Sequence, residues 1–312
     1  MNTSKIKVYN LDVSRPKVLL LGNGIIYDSS ISWSDLIKSV RRDGVNISQY
    51  EETTSDGKYI KFNIPNTILT LVTSDVSDQV RHDKYVKALK KDSYLENKDL
   101  KRMLEVSFDA ILTTNYTYEI EAALNPRYPK LNSTSKRKYA VTTTETDPKF
   151  LLHTYNRLVS NGPDVWHIHG ELRRPSSMIL SHDEYARYIS QILTYNTKRG
   201  NDYEKDKREL RFESWIDYFI LGDVYILGLG MDYADFDLWW LLGRRLRENV
   251  GAGKIVFYEP RSSDNVIKQL ALHDCHVRVE NCGVDMDNGG TYPEFYAIAI
   301  KDIQKEVNKT KE

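Results

Sequence analysis

The feature that most constrains the fold is an apolar run at residues 18–21 that ends in Gly22-Asn23-Gly24. Further apolar residues follow the glycine turn at helical spacing, at Trp33, Leu36, Ile37 and Val40. A strand, a glycine turn and a helix in this order bring backbone N–H groups and a helix N-terminus together, where an anion can bind. A single Gly-x-Gly after one strand is also typical of an ordinary tight turn, and Tyr27 breaks the GxGxxG spacing. Other segments must therefore support the interpretation.

Apolar runs of strand length recur along the chain and alternate with segments of helical periodicity. They lie at residues 108–113, 164–169, 223–227, 254–258 and 276–279. Predicted helices lie at residues 235–247, 265–272 and 293–307, and residues 210–219 carry an apolar helical face. This alternation predicts an α/β fold, with a Rossmann-like parallel sheet and helices on both of its faces. We expect one domain over residues 1–312, with helical insertions near 43–105 and 183–220.

Composition excludes several classes of function. The 312 residues contain 44 Lys and Arg and 44 Asp and Glu, so the net charge does not imply a nucleic-acid partner. No apolar run approaches the ~20 residues that span a bilayer, and residues 1–13 lack a signal-peptide core. The two cysteines, Cys275 and Cys282, cannot form a four-thiolate zinc site, and their scarcity suits a reducing cytoplasm. We therefore expect a cytoplasmic protein without a membrane partner or a metal.

Polar residues follow each predicted strand. Ligands of such sheets bind outside the carboxyl ends of the strands, so these are the candidate site residues. In chain order they are Gly22-Asn23-Gly24, Thr113-Thr114-Asn115, His169-Gly170, Gly228-Leu229-Gly230-Met231-Asp232 and Tyr258-Glu259. Taken singly, a histidine at a strand end is as typical of a buried core residue as of a base, and Asn115 is typical of a helix cap. Their convergence at one edge of the sheet favours a binding site.

The combination of these segments resembles the sirtuin-like superfamily, and more closely its bacterial NAD-hydrolase branch in anti-phage defence than the protein deacetylases. The similar pieces are Gly22-Asn-Gly-Ile25, Ser32-Trp-Ser-Asp-Leu36, Thr113-Thr-Asn-Tyr116, His167-Ile-His-Gly170, Gly228-Leu-Gly-Met-Asp-Tyr233 and Asp237-Leu-Trp-Trp-Leu-Leu242. The resemblance implies a pocket for NAD, which is the substrate, and cleavage of the bond between nicotinamide and ribose. Because a reaction that depletes NAD harms the cell, we also expect a trigger, through a homo-oligomer or a separate sensor or ATPase partner protein.

The resemblance also implies roles for individual residues. We expect His169 to be the general base and Asn115 to orient the ribose hydroxyls or the attacking water. The other expected contacts to NAD are Gly22, Asn23, Gly24 and Ile25 at the pyrophosphate through backbone N–H groups, Gly228, Gly230, Met231 and Asp232 over the adenosine half, Tyr258 or Glu259 at the adenine or its ribose, Asp28 at the nicotinamide side, and Thr114. We expect His167 on the opposite face of the sheet from His169 and assign it to packing.

Two departures from the family pattern leave alternatives open. Position 117 is Thr where the family usually has Asp, and Ile26 stands where a small polar residue is common. These residues favour a second hypothesis, a module that binds NAD or ADP-ribose without turnover and controls a partner. A third is transfer of ADP-ribose to a macromolecule. Deacetylation is disfavoured because the four zinc cysteines of the deacetylases are missing.

Overall fold

The computed structural model describes residues 7–26, 36–38, 51–53, 60–62, 77–89, 97–131, 135–136, 138–142, 151–158, 162–205, 208–232, 235–248 and 253–309. Its strands are β1 (Lys7–Tyr9), β2 (Lys17–Leu21), β3 (Glu51–Thr53), β4 (Ile60–Phe62), β5 (Ala110–Thr113), β6 (Ala140–Thr142), β7 (Thr154–Arg157), β8 (Asp164–His167), β9 (Leu210–Phe212), β10 (Asp223–Leu227), β11 (Ile255–Tyr258) and β12 (Val277–Glu280). Its α-helices are α1 (Asp78–Leu89), α2 (Lys98–Met103), α3 (Glu119–Leu124), α4 (His182–Lys205), α5 (Trp215–Leu221), α6 (Phe236–Glu248), α7 (Val266–Asp274) and α8 (Tyr292–Asn308).

The main sheet has the strand order of a doubly wound nucleotide-binding fold. Its order is β12-β11-β10-β2-β5-β8-β7-β6, and all pairs from β12 to β8 are parallel. From β2 the chain moves outward through β5 to β8, then returns to the other side of β2 and continues through β10, β11 and β12. The direction reverses between β2 and β10, and this switch point is where such sheets bind ligands. The predicted α/β fold is confirmed.

Helices cover both faces of the sheet because its central strands are apolar on both sides. In β2, Val18 and Leu20 belong to one hydrophobic cluster, whereas Leu19 and Leu21 belong to the other. The first cluster includes side chains of α4, α5 and α6, and the second includes side chains of α1, α2 and α8. Burial on both sides explains why the parallel strands are continuous apolar runs without alternation.

Two parts of the sequence-based prediction are wrong in detail. The sheet is not parallel throughout, because β7 and β6 extend it antiparallel beyond β8. Residues 210–219 are not one helix, since Leu210 and Phe212 lie in β9, which pairs antiparallel with β1. Helix α5 begins only at Trp215, where a capping box between Ser214 and Asp217 satisfies its first N–H groups. The insertion near 43–105 contains β3 and β4 as well as α1 and α2. The division into one domain stays a prediction.

A buried arginine joins the elements at the amino ends of the central strands. Arg245 of α6 is 8 % exposed, and its guanidinium donates to the carbonyl oxygens of Phe219, Gly222 and Gly253. These carbonyls belong to the end of α5 and to the turns before β10 and β11. Since a buried carbonyl without a donor is costly, this cation stabilises the rim opposite the switch point.

Candidate active site

The two glycine turns at the switch point pack directly on each other. The N–H of Gly22 donates to Leu227 O (3.1 Å), and the N–H of Gly24 donates to Gly228 O (2.7 Å). A Cβ on Gly22 would lie 2.3 Å from Gly228 O, and one on Gly228 would lie 2.6 Å from the nitrogen of Ile25. Gly228 also has a φ of +70°, which favours glycine. Glycine is therefore required here by the approach of one backbone to another.

This packing corrects the expected roles of the first turn. The N–H groups of Gly22 and Gly24 bind carbonyl oxygens, so in this structure they are not available to a pyrophosphate. Ile25 is buried, and its side chain belongs to the hydrophobic cluster that includes α8 residues. Asn23 is exposed at the tip of the turn, which leaves it accessible to a ligand. Asp28 lies outside the described residues.

Asn115 lies beside the first glycine turn. Thr113, the last residue of β5, donates its hydroxyl to Leu21 O (2.9 Å) and accepts the N–H of Asn115 (3.1 Å). The side-chain amide of Asn115 lies 3.5 Å from Gly22 O, and the N–H of Thr114 lies 3.4 Å from Leu21 O. The threonine thus turns the chain toward β2, and it places a half-buried amide at the edge of the switch point.

His169 forms a buried pair with an aspartate of α6. Its Nε2 lies 2.9 Å from Oδ2 of Asp237, which lies in the first turn of the helix and is fully buried. The rings of Tyr185 and Tyr188 of α4 contact the imidazole edge-on. Burial favours the neutral ring, but the charge and hydrogen bond of Asp237 outweigh it and raise the pKa of His169. His169 is therefore a stronger base than a free imidazole, and its hydrogen bond to Asp237 fixes the orientation of the ring.

The pair leaves two atoms without a hydrogen-bond partner among the described residues. Oδ1 of Asp237 is buried and accepts no hydrogen bond from any described residue. The Nδ1 of His169 likewise has no hydrogen-bond partner within the described ranges. A buried acceptor without a donor is rare in folded proteins, so this oxygen is a candidate acceptor for a water or for a hydroxyl group of a ligand. Asp237 was missed by the sequence analysis as a site residue; an acid in the first turn of the helix that follows a strand-end glycine turn was the available signal.

The Gly228–Asp232 turn connects His169 to the switch point. The carbonyl oxygen of Gly228 accepts the N–H of Gly24 at one end of the turn, and α6, which carries Asp237, follows the other end. Gly230 and Asp232 are exposed, as a ligand-contacting role requires. Met231 is 1 % exposed and packs in the hydrophobic cluster below the turn, so its side chain does not meet a ligand here.

Tyr258, the last residue of β11, and Glu259 after it bind other side chains of the protein. The hydroxyl of Tyr258 donates to Asp302 of α8 (2.8 Å), on a buried face of the sheet. Glu259 forms an ion pair with Lys268 of α7, whose Nζ also donates to Gly230 O (2.7 Å). In this structure neither side chain is directed at an adenine or a ribose. Glu259 and Lys268 together connect the end of β11 to the Gly228–Asp232 turn, whereas Tyr258 connects β11 to α8.

His167 is buried and packs edge-on against Tyr118, as assigned, but packing is not its whole role. It lies in a buried polar network, with Nδ1 2.6 Å from Asn115 O and Nε2 2.7 Å from Oε1 of Glu121 in α3. Its ring and that of His169 contact helices on opposite faces of the sheet, as expected. Strand alternation alone would have placed both on one face, but β8 ends at His167 and the chain turns before His169. His167 also lines a small pocket between β7 and the turn after β8, together with Asn156 and Glu171.

These contacts bring most of the candidate residues to one rim. Hydrogen bonds link the ends of β2, β5, β8 and β10, and the Lys268 tether adds the end of β11. No hydrogen bond between described atoms joins Asn115 directly to His169. Each borders the switch point from its own side, Asn115 through Gly22 and His169 through Asp237 and the Gly228–Asp232 turn.

A comparison with protein families identifies the fold family. The family model of the SIR2-like domain matches residues 109–278, which is more than half of the 312 residues. The chain belongs to the SIR2-like domain family. The predicted resemblance to the sirtuin-like superfamily is thereby confirmed. No curated protein matches the chain.

The matched segment of this SIR2-like protein contains Asn115, His169, Asp237 and the Gly228–Asp232 turn. The first glycine turn precedes it but is joined to it by the Gly24 hydrogen bond. SIR2-like domains bind NAD, and membership of the family indicates an NAD-related function. In the described ranges of the SIR2-like chain, no helix combines the length and the apolar character needed to cross a membrane. No group of three or more His, Cys, Asp or Glu in these ranges is arranged to hold a metal ion.

Proposed function

We propose that this SIR2-like protein hydrolyses NAD to nicotinamide and ADP-ribose. The observation that carries the proposal is the buried His169–Asp237 pair, which lies at the same rim as Asn115 and the two glycine turns. Membership of the SIR2-like family indicates NAD as the dinucleotide. The pair provides a base, His169, which is oriented by the carboxylate of Asp237. Asn23, Thr114, Gly230 and Asp232 are proposed contacts to NAD because each is exposed or half-buried at this rim.

The reaction needs a base and an orienting group. When the bond between C1′ of the ribose and the nicotinamide nitrogen breaks, its electron pair neutralises the pyridinium, and positive charge develops at C1′. Water adds at C1′ and loses a proton. Nδ1 of His169 is the proposed acceptor, because Nε2 is held by Asp237. The amide of Asn115 can both donate and accept, which suits the orientation of a ribose hydroxyl or of the water.

We further propose that the protein is a cytoplasmic, NAD-depleting effector of bacterial anti-phage defence that acts by abortive infection. An enzyme of this kind must be inactive at rest, and His169 is only 4 % exposed. Access to its free nitrogen therefore requires movement of the surrounding side chains. Assembly into a homo-oligomer, or binding of a separate sensor or ATPase partner protein, is the proposed trigger of that movement.

The test is NAD turnover by the purified 312-residue chain over a range of protein concentrations, with and without a co-expressed neighbouring gene product. Nicotinamide and ADP-ribose are separated by chromatography. We expect both products from the wild type and none above background from Asn115→Ala or His169→Ala. His273→Ala and Asn308→Ala, at exposed positions near the carboxyl-terminal ends of α7 and α8, serve as matched controls with unchanged activity.

The same assay separates the alternatives. Full activity in both Asn115→Ala and His169→Ala would show that the assigned roles are wrong. Tight NAD binding by calorimetry without product in any assembly state would instead identify a binding module that controls a partner. Label from the adenine half that becomes macromolecular would identify an ADP-ribosyltransferase.

A further inference from the structure

His167 makes two hydrogen bonds that together define its protonation state. Nδ1 lies 2.6 Å from the carbonyl oxygen of Asn115, and Nε2 lies 2.7 Å from Oε1 of Glu121. The carbonyl and an ionised carboxylate are both acceptors only, so each needs an N–H from the ring. A neutral imidazole has one N–H, so it can donate to only one of them. Both contacts are satisfied together when the ring is the doubly protonated imidazolium.

We propose that His167, as an imidazolium, is a positioning residue. Its ring links the backbone carbonyl of Asn115 to the carboxylate of Glu121, and this link fixes the Asn115 side-chain amide for the reaction. The inference rests on the proposed function, because only that function gives Asn115 a role in the chemistry. Asn115 is then held from two sides, with its N–H on Thr113 and its carbonyl on His167. Its side chain remains for Gly22 O and a ligand.

The network around Glu121 makes this arrangement rigid. Glu121 is fully buried, and its Oε1 also accepts a hydrogen bond from Nδ2 of Asn156 (2.6 Å). Arg173 joins Asn156 to Glu171, and its guanidinium stacks over the ring of Tyr118. A network of buried, charge-assisted hydrogen bonds allows little displacement of its members.

The charged groups that face His167 come from two elements. Glu121 and Glu119 lie in α3, and Glu171 lies in the turn after β8, where Arg173 opposes it. Burial lowers the pKa of His167, but Glu121 and Glu171 outweigh it and raise the pKa to about 9. The imidazolium therefore persists through neutral pH. It is lost as the pH rises through this value, and one of the two hydrogen bonds is lost with it.

Two variants test the positioning role. Glu121→Gln keeps the size of the side chain but removes the charge that sustains the imidazolium, so the pKa of His167 should fall. His167→Gln has its N–H donors on a single nitrogen, and its side chain does not titrate. Glu209→Gln, an exposed site beside β9, is the matched control. Thermal melts at pH 7 establish that each variant is folded.

The experiment combines ¹⁵N NMR of the histidine rings with kcat and KM for NAD between pH 6 and pH 10. We expect His167 of the wild type to carry protons on both nitrogens at pH 7.5, and kcat to fall on the alkaline side. In Glu121→Gln the alkaline limb should move down by at least one pH unit, with kcat at pH 8.5 reduced about tenfold and KM changed less than about twofold. In His167→Gln kcat should be reduced, and its alkaline limb should be absent because glutamine does not titrate.

A singly protonated His167 at pH 7.5, or an alkaline limb of Glu121→Gln that coincides with that of the wild type, would overturn the positioning role. The NMR measurement needs no turnover, so it is separate from the test of the proposed function. If the wild type cleaves no NAD, the proposed function fails and the dissociation constant of NAD decides the inference. If Glu121→Gln binds NAD more weakly than the wild type above pH 8, the positioning role is supported. If the dissociation constant is unchanged, the positioning role is refuted.

Discussion

Nε2 of His169 and Oδ2 of Asp237 lie 2.9 Å apart, although the two residues are 68 positions apart in the chain. The first follows a strand on one side of the switch point, and the second begins a helix that follows a strand on the other side. The contact therefore bridges the carboxyl ends of the two strands between them, β2 and β5. It also makes the orientation of the candidate base depend on where α6 begins.

Asp237→Asn should reduce kcat for NAD by about 10²-fold at pH 7. Removing the carboxylate leaves burial as the main influence on His169, so its pKa should fall from its raised value. Because Nδ1 accepts a proton only when the ring is neutral, the acid limb of the kcat profile should move to lower pH. The measurement is kcat between pH 5 and pH 9. Asp274→Asn, at an exposed site at the end of α7, should leave the profile unchanged.

Gly228→Ala should destabilise the protein by roughly 1–3 kcal/mol, because its backbone is left-handed and the new Cβ would lie 2.6 Å from the nitrogen of Ile25. Urea unfolding measures the change. Gly243→Ala in α6 is the opposite case, since no atom lies within 4 Å of its added Cβ. Alanine there should raise the free energy of unfolding by up to about 1 kcal/mol. Equal effects of the two substitutions would contradict the close packing of the glycine turns.

Glu119→Gln should change how stability depends on pH. Burial raises the pKa of Glu119 from 4.5 to about 7, so between these values the folded state holds a proton that the unfolded state has released. This group therefore makes the free energy of unfolding fall as the pH rises from 4.5 to 7. Glutamine does not titrate, so the variant lacks this fall in the free energy of unfolding. Its stability relative to the wild type should increase between pH 4.5 and 7, and above pH 7 the gain should reach up to about 3 kcal/mol. Urea titrations at pH 4.5, 6 and 8 test this, and a constant difference between variant and wild type would contradict it.

Lys268→Met should weaken NAD binding about fivefold and leave kcat nearly unchanged. The substitution removes the ammonium that joins Gly230 O to Glu259, so the Gly228–Asp232 turn loses its connection to β11. Calorimetry gives the dissociation constant. Lys254→Met is the matched control, because it removes an ion pair with Glu306 at the opposite end of the same strand. A larger loss from Lys254→Met would show that the tether has no part in binding.

The framework of this fold could be predicted from the sequence because its signals are local. The apolar runs at β2, β10 and β11 are long enough and pure enough to be recognised singly, and α6 shows helical periodicity with its cations at the carboxyl end. The order of such elements then predicts the rim where polar residues meet. Asn115, with Thr114 beside it, reaches that rim next to Gly22 as expected.

The partners of the site residues could not be predicted in the same way. Side chains from distant elements decide whether Glu259 meets a ribose or Lys268. They also decide whether His167 only packs or pairs with Glu121 as well. The error at residues 210–219 has a related cause. Leu210, Phe212, Trp215 and Ile216 fit a helical period, but the pairing of β9 with β1, far away in sequence, decides the backbone of the first two.

The guanidinium of Arg245 has a consequence for how this chain tolerates change. It fastens the amino-terminal rim of the sheet through three carbonyls, while the candidate chemistry occupies the opposite rim. Substitutions near Arg245 should therefore lower the amount of folded protein in cells and leave the turnover per molecule intact. The loops at the other rim can therefore change in sequence and bind new ligands, because the Arg245 hydrogen bonds keep the sheet and its helices in place.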